Sequence, residues 1–293
     1  MIRIDCHIHS NVEDAEIDDV MPHITPGGFD GGIIFSQNPN GMEFSFSKKS
    51  YKSEERINAV LKITSVNKYL FPFFWINPTE PDALEQVELA ESKGIVGYKV
   101  ICSSHFPCDE RAIPVYKKIA SLNRPVLFHS GILYDGRNAS GNYNRPCNFE
   151  GLLSIDNLRF ALAHASWPWT DECIAVFGKF NSARGYKRDS GSTVGEIFID
   201  LTPGPPKLYR KPLFDRLLFS IGDVKNNIIY GIDGSIGSKD MHRYAKEILD
   251  YDESVFDEYF KSGGPFGERL DDDFKDCLYH KNVLRFIGLP ENY

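Results

Sequence analysis

Short runs of apolar, β-branched and aromatic residues recur along the chain, spaced to leave room for a helix between most of them. Residues 2–6, 32–36, 70–76, 95–101, 125–129, 158–164, 196–201 and 228–233 read as eight strands. Several, such as GGIIFS, FPFFW and IVGYKVI, are apolar throughout rather than alternating. A strand covered on both faces has no polar side, so such runs point to a parallel sheet buried under helices.

The intervening segments carry the helical period. Residues 53–69, 81–93, 112–122, 171–180, 212–221 and 238–249 are the candidates, and the second opens on Pro81 and stops before Gly94, as helix ends prefer. Only the segment after the fifth strand is poor in helical signal. Strands alternating with helices in this way predict an α/β fold of the (β/α)8 TIM-barrel type. A doubly wound open sheet is the competitor, but its first strand usually runs into a Gly-rich phosphate turn. Here the first strand runs into Cys-His-Ile-His. Residues 252–293 read as extra C-terminal helices on a single domain spanning 1–293, with no internal repeat and no linker.

Charge and composition narrow the function. The formal net charge is −8, which gives a nucleic-acid partner little electrostatic support. No stretch approaches the roughly 20 apolar residues that span a bilayer, and the first residues lack the pattern of a signal peptide. A cytoplasmic protein acting on a small molecule is the expectation, with a homodimer open. The six cysteines form no CxxC pair, so reduced thiols are expected, and any metal would be held by imidazole and carboxylate.

Such ligands stand at strand ends. His7 and His9 close the first strand, one residue apart and therefore on one face, with Asp5 in parity behind them. His129 ends the fifth strand in RPVLFHSG, His164 the sixth in RFALAHAS, and Asp233 the eighth in NIIYGIDGS. The C-terminal strand ends of a barrel form the mouth where active sites are built. Each residue alone is more often structural, a histidine capping a strand through a carbonyl or water. Four of eight histidines at that one face make a joint pattern.

The order HxH, His, His, Asp resembles the amidohydrolase superfamily. GYK (97–99), PVLFHSG and the terminal KNVLRFIGL are similar to its amidohydrolase-related (amidohydrolase 2) branch, across nearly the whole chain. TatD-type nucleases also open with HxH but carry a middle-strand glutamate where this chain has Lys99. The polymerase and histidinol phosphatase family usually ends in Asp-x-His, whereas this chain has Asp233-Gly234-Ser235.

The resemblance implies a metal-dependent hydrolase of a lactone, ester or amide, its substrate bearing a carboxylate. Two alternatives stay open: a non-oxidative decarboxylase of the aminocarboxymuconate-semialdehyde decarboxylase type, and a barrel that binds a ligand without catalysis. In the single-metal version His7, His9, His129 and Asp233 hold the cation, with zinc the first expectation and manganese open. Asp233 then takes the proton of the attacking water, and His164 polarises the carbonyl or steadies the oxyanion. In a two-metal version a carbamylated Lys99 bridges the ions, and His129 and His164 bind the second. The preferred reading leaves Lys99 unmodified as an anion clamp.

Loops supply the remaining candidates. The long, irregular segment 130–151 offers Arg137 and Arg145 to a carboxylate, and Trp167 is expected to wall the pocket. Lys207, Arg210 and Lys211 follow the seventh strand and read as solvated charge with a weaker claim on the substrate. Residues 181–195 are expected on the opposite face, away from the chemistry, and the acidic run 13–19 as a solvated loop.

Overall fold

The computed structural model describes residues 1–10, 20–39, 51–134, 139–188, 193–220, 224–236, 240–291 and 293. The expectations for residues 13–19 and for Arg137 lie outside them.

Nine parallel strands form one sheet: β1 (Ile4–Ser10), β2 (Gly31–Phe35), β3 (Leu70–Trp75), β4 (Gly97–Val100), β5 (Pro125–Phe128), β6 (Arg159–Leu162), β7 (Glu196–Asp200), β8 (Ile228–Ile229) and β9 (Gly234–Ile236). Neighbours follow chain order from β1 to β8, and β9 pairs with β1. β8 is the start of the expected eighth strand, 228–233, and β9 lies just beyond its expected end. β8 hydrogen-bonds β7, the Cys6 N–H donates to the Tyr230 carbonyl at 2.9 Å, and β9 continues along β1. The sheet thereby curls round on itself as a (β/α)8 barrel.

Strand residues are buried on both faces, which accounts for the unbroken apolar runs. Ile33, Phe35, Phe71, Phe73, Leu127, Ala161 and Phe198 fill the interior, while their neighbours in sequence, such as Ile34, Phe74, Val126, Phe160 and Ile197, pack outward. The inward row of β4, β5 and β7 leads to Lys99, His129 and Asp200 at the mouth.

Outside lie α1 (Met21–Ile24), α2 (Ser53–Thr64), α3 (Ala83–Lys93), α4 (Ile113–Ser121), α5 (Thr170–Arg188), α6 (Lys207–Ser220) and α7 (Met241–Ser262). Between β5 and β6 the chain makes 3-10 turns at Ser140–Asn142 and Pro146–Ser154 in place of an α-helix, where the sequence had no helical period. Four helices depart from expectation, and the first of them, α2, stops at Thr64, five residues short of 69. α5 extends eight residues beyond 180, and α6 starts a turn before Pro212. α7 runs unbroken through residue 252, because Ala245, Ile248, Leu249, Val255, Phe256 and Tyr259 keep one buried stripe. Asp252 lies in that stripe, fully buried against Arg210.

The C-terminal residues plug the barrel. α8 (Phe274–Asp276) passes through a π-helical turn, Cys277–Lys281, into α9 (Asn282–Ile287). Phe286 enters the interior, its ring 5.1 Å from Phe198 and 6.2 Å from Phe73. Arg159 Nε donates to the Phe286 carbonyl at 2.6 Å, and Arg285 pairs with Glu196. With that end sealed, the C-terminal mouth is the open one. Among the described residues no helix is long and apolar enough to cross a membrane.

Candidate metal centre at the barrel mouth

A cavity of about 300 Å³ opens at that mouth, lined by His7, His9, Lys99, His129, His164 and Asp233 among others. Each comes from a different strand end apart from His7 and His9, which share β1. A bulge in the β1–β2 register between Asp5 and Ile8 shapes that turn of chain. Asp5 fixes it from below: its buried Oδ1 accepts the backbone N–H of His7 at 2.9 Å and of Ile232 at 3.2 Å. Burial raises the Asp5 carboxyl well above its usual value. Gly231 is required beside it, since a Cβ there would lie 2.7 Å from Asp5 Oδ1 and 2.7 Å from Thr202 Cγ2.

Asp233 faces the two histidines. Its Oδ1 is 3.4 Å from His7 Nε2 and 3.3 Å from His9 Nε2, and about a third of its side chain (34%) is exposed to the cavity. Burial opposes its charge, yet His7, His9 and His164 hold it well below the usual carboxylate range. Burial in turn keeps His7 and His129 well below the ordinary imidazole value, so both are neutral near pH 7 with a lone pair to offer. Lys99 is fully buried with Nζ 3.2 Å from His7 Nε2, and burial lowers its amine to about 8.

The neighbourhood of His164 is strained. His164, Ala165 and Ser166 have φ of 59°, 42° and 57°, and Asp233 has 55°. Left-handed backbone at non-glycine residues costs of order 1–3 kcal/mol each and persists where surroundings enforce it. Here Ser166 Oγ meets Ser130 Oγ at 2.7 Å, and the Ile132 N–H donates to the Trp167 carbonyl at 2.9 Å. These bonds lace the loop after β5 to the loop after β6. His129 and His164 are thereby set with ring centroids 5.0 Å apart.

The donors fit a divalent cation. One ligand atom each from His7, His9 and Asp233 lie within 4.8 Å of one another. His129 falls outside that group, but its Nε2 is buried without a hydrogen-bond partner among the described residues, a costly arrangement that a fourth ligand position would relieve. Imidazole and carboxylate with no thiolate suit zinc or another borderline ion.

Of the residues expected from sequence, His7, His9, Lys99, His129, His164, Asp233 and Trp167 line this cavity. Arg145 is elsewhere: it pairs with Glu172 at 2.6 Å at the surface and sits over the Trp169 ring. Arg210 is no solvated charge, because Asp252 and the Leu201 carbonyl bind it inside the wall. Lys211 pairs with Asp215 and Lys207 lies over Tyr251. One residue escaped notice. Asp200 ends β7 on the inward row and holds His7 Nδ1 at 2.7 Å through Oδ2. The rule that found His129, a polar residue closing an apolar run, applies equally to EIFID.

No family model and no curated protein matches the sequence. Solved structures do. A probable 2-pyrone-4,6-dicarboxylic acid hydrolase from Acinetobacter baumannii superposes with a TM-score of 0.60 at 13% identity, covering 99% of this chain and 100% of that one. An amidohydrolase from Burkholderia multivorans gives 0.64 at 11% identity, covering 99% and 100%. The fold is that of the amidohydrolase-type TIM barrels. A 4-oxalomesaconate hydratase from Rhodopseudomonas palustris shares it at a TM-score of 0.57 and 16% identity, over 98% of this chain and 95% of that one. The histidines and Asp233 line the cavity at the C-terminal ends of the barrel strands.

Proposed function

We propose that the protein is a metal-dependent hydrolase of a small carbonyl compound: a lactone, ester or amide. The observation that carries this reading is the convergence of His7, His9 and Asp233 beneath an open cavity that His129 also lines. These four residues would hold the cation, zinc by donor preference. When bound, it would supply Lewis-acid polarisation of the carbonyl and acidify the attacking water.

The chain's own groups do the rest. Asp233 is ionised and partly exposed, so its carboxylate accepts the water's proton at the cavity floor. His164 lines the same cavity as a neutral imidazole, its pKa lowered by burial, and is the second group able to exchange a proton with the substrate. Ile101, Ile132, Leu133 and Trp167 wall the cavity and exclude water from an apolar substrate body. Lys99 is the one lysine or arginine among its described lining residues, and so the group that would meet a substrate carboxylate.

The test is a panel of lactones, esters and amides, with and without a carboxylate, offered to zinc-reconstituted protein and scored for acid release. Turnover that disappears on chelation and returns with the metal is expected. Release of CO2 without hydrolysis from carboxylated substrates would overturn the reading.

A further inference from the structure

A second cavity, of about 320 Å³, is lined by Asn123, Asn157, Arg159, Arg184, Thr193 and Glu196 among others. Arg159 and Glu196 begin β6 and β7, and Asn123 and Asn157 lie just before β5 and β6. The cavity therefore opens at the N-terminal ends of the strands, away from the mouth. Its volume falls at the small end of the roughly 300–1,000 Å³ range of ligand cavities. The run 181–195, expected on this face and given no part in the chemistry, supplies Arg184 and Thr193.

The charge here is opposite to that of the whole chain, whose formal net charge is −8. Half-buried Arg159 makes three hydrogen bonds, all to neutral acceptors. Its Nε donates to the Phe286 carbonyl at 2.6 Å, Nη1 to Asn123 Oδ1 at 3.1 Å and Nη2 to the Asn123 carbonyl at 2.9 Å. A guanidinium has five N–H groups, so one on each Nη remains for another acceptor. Glu196 is the one carboxylate among the described lining residues, and other groups hold it. Arg184 lies 2.9 Å from its Oε1, Asn227 donates to the same oxygen at 3.1 Å, and Arg285 pairs with it too. Three guanidiniums thus meet one carboxylate. Burial, against the pull of Glu196, lowers the pKa of Arg159, and Arg285 and Arg124 lower it further.

We infer that this cavity is a second ligand site, for a small oxyanion presenting a carboxylate or phosphate group. Arginine recognises either through paired N–H donors. Arg159 and Arg184 supply the charge, and the amides of Asn123 and Asn157 and the Thr193 hydroxyl supply neutral donors around it. A structural role for Arg159, tying the end of α4 to the C-terminal plug, accounts for its three bonds but not for a cavity with surplus positive charge. Because Arg159 holds the Phe286 carbonyl, an anion bound here touches the segment that seals the barrel. The inference needs neither the metal nor hydrolysis, since the site lies on the other face of the barrel.

Inorganic phosphate and succinate, titrated into the metal-free full chain at constant ionic strength with chloride as control, test the site. Calorimetry gives the affinity, and backbone 1H–15N correlation spectra locate the anion. Arg159→Gln removes the unpaired charge. Arg184→Gln removes the second from a side chain that is 38% exposed and makes no bond to the plug, so that variant should fold.

At least one of the two anions should bind with a Kd of about 1 mM or tighter, and which one binds distinguishes phosphate from carboxylate. The signals of Asn123, Asn157, Thr193 and Glu196 should move with it. Each variant should weaken binding about tenfold or more, the scale of a lost hydrogen bond to a charged group. Raising the ionic strength should weaken it too. No saturable binding of either anion below about 10 mM would overturn the inference. So would shifts confined to the mouth, at Ile132, Leu133 and Ser235. An Arg184→Gln protein that binds within about threefold of the original would overturn it as well.

Discussion

Asp252→Ala is expected to destabilise the protein by about 3–5 kcal/mol, the usual cost of breaking a fully buried ion pair from one side. The magnitude follows from what the change strands. Arg210 is wholly inaccessible, and its Nε donates to Asp252 at 2.8 and 2.9 Å. Its Nη2 also donates to Asp252, and its one other described hydrogen bond is to the Leu201 carbonyl at 3.0 Å. Without Asp252 the guanidinium keeps its charge in an apolar wall with one neutral acceptor. Tyr230, whose hydroxyl donates to Asp252 at 2.7 Å, loses its partner as well.

The double change Arg210→Met with Asp252→Leu removes both charges and should recover most of that loss, since apolar replacements of buried pairs are often near neutral. Urea denaturation of the two variants, extrapolated linearly to water, makes the comparison. A single variant within about 1 kcal/mol of the original, the scale of an exposed pair, would refute the reasoning. So would a double variant as unstable as the single one. Because Leu201 sits between Asp200 and Thr202, the single variant should also loosen the cavity wall.

Three further outcomes are expected. Asp233→Asn should lower kcat by about 10²–10⁴, the range for loss of a general base, read on whichever substrate the panel finds; activity within threefold would exclude Asp233 as proton acceptor. Phe286→Ala should cost about 3–5 kcal/mol by emptying the barrel plug, measured by urea denaturation, and a loss below about 1 kcal/mol would show that the plug is dispensable. His105 is 4% exposed, and burial lowers its pKa from 6.5 to about 4. The unfolded chain therefore binds a proton that the folded one refuses, and stability falls as pH drops from about 6.5 toward 4, by about 1.4 kcal/mol per unit for this group. His105→Leu should flatten that slope by about one proton, and an unchanged slope would contradict it.

Much of the barrel was legible because burial on both faces leaves its mark as unbroken apolar runs. GGIIFS and FPFFW became β2 and β3 within a residue or two. The eighth strand was harder, since it stops at Ile229 and pairing with β1 resumes only after Asp233, whose left-handed backbone no composition announces. The sequence pattern ended this helix at 249 and placed further helices from 252, whereas α7 runs on through the buried Asp252. Its partner Arg210 lies 42 residues away, and only the fold brings the two together.

The mouth residues were visible one by one as polar ends of apolar strands. What local sequence could not carry was pairing. Arg145 looked like a substrate clamp until Glu172 was placed beside it. Asp200 was not singled out, and its meaning comes from His7, 193 residues earlier.

Divalent-metal binding by the intact chain tests the central claim most directly. Chelator-treated protein titrated with zinc should take up about one ion per chain, as three or four imidazole and carboxylate ligands require. His7→Ala combined with His9→Ala should abolish uptake while the fold, monitored by circular dichroism, persists. An original protein that takes up no divalent ion, or a double variant that binds as tightly as the original, would contradict the account.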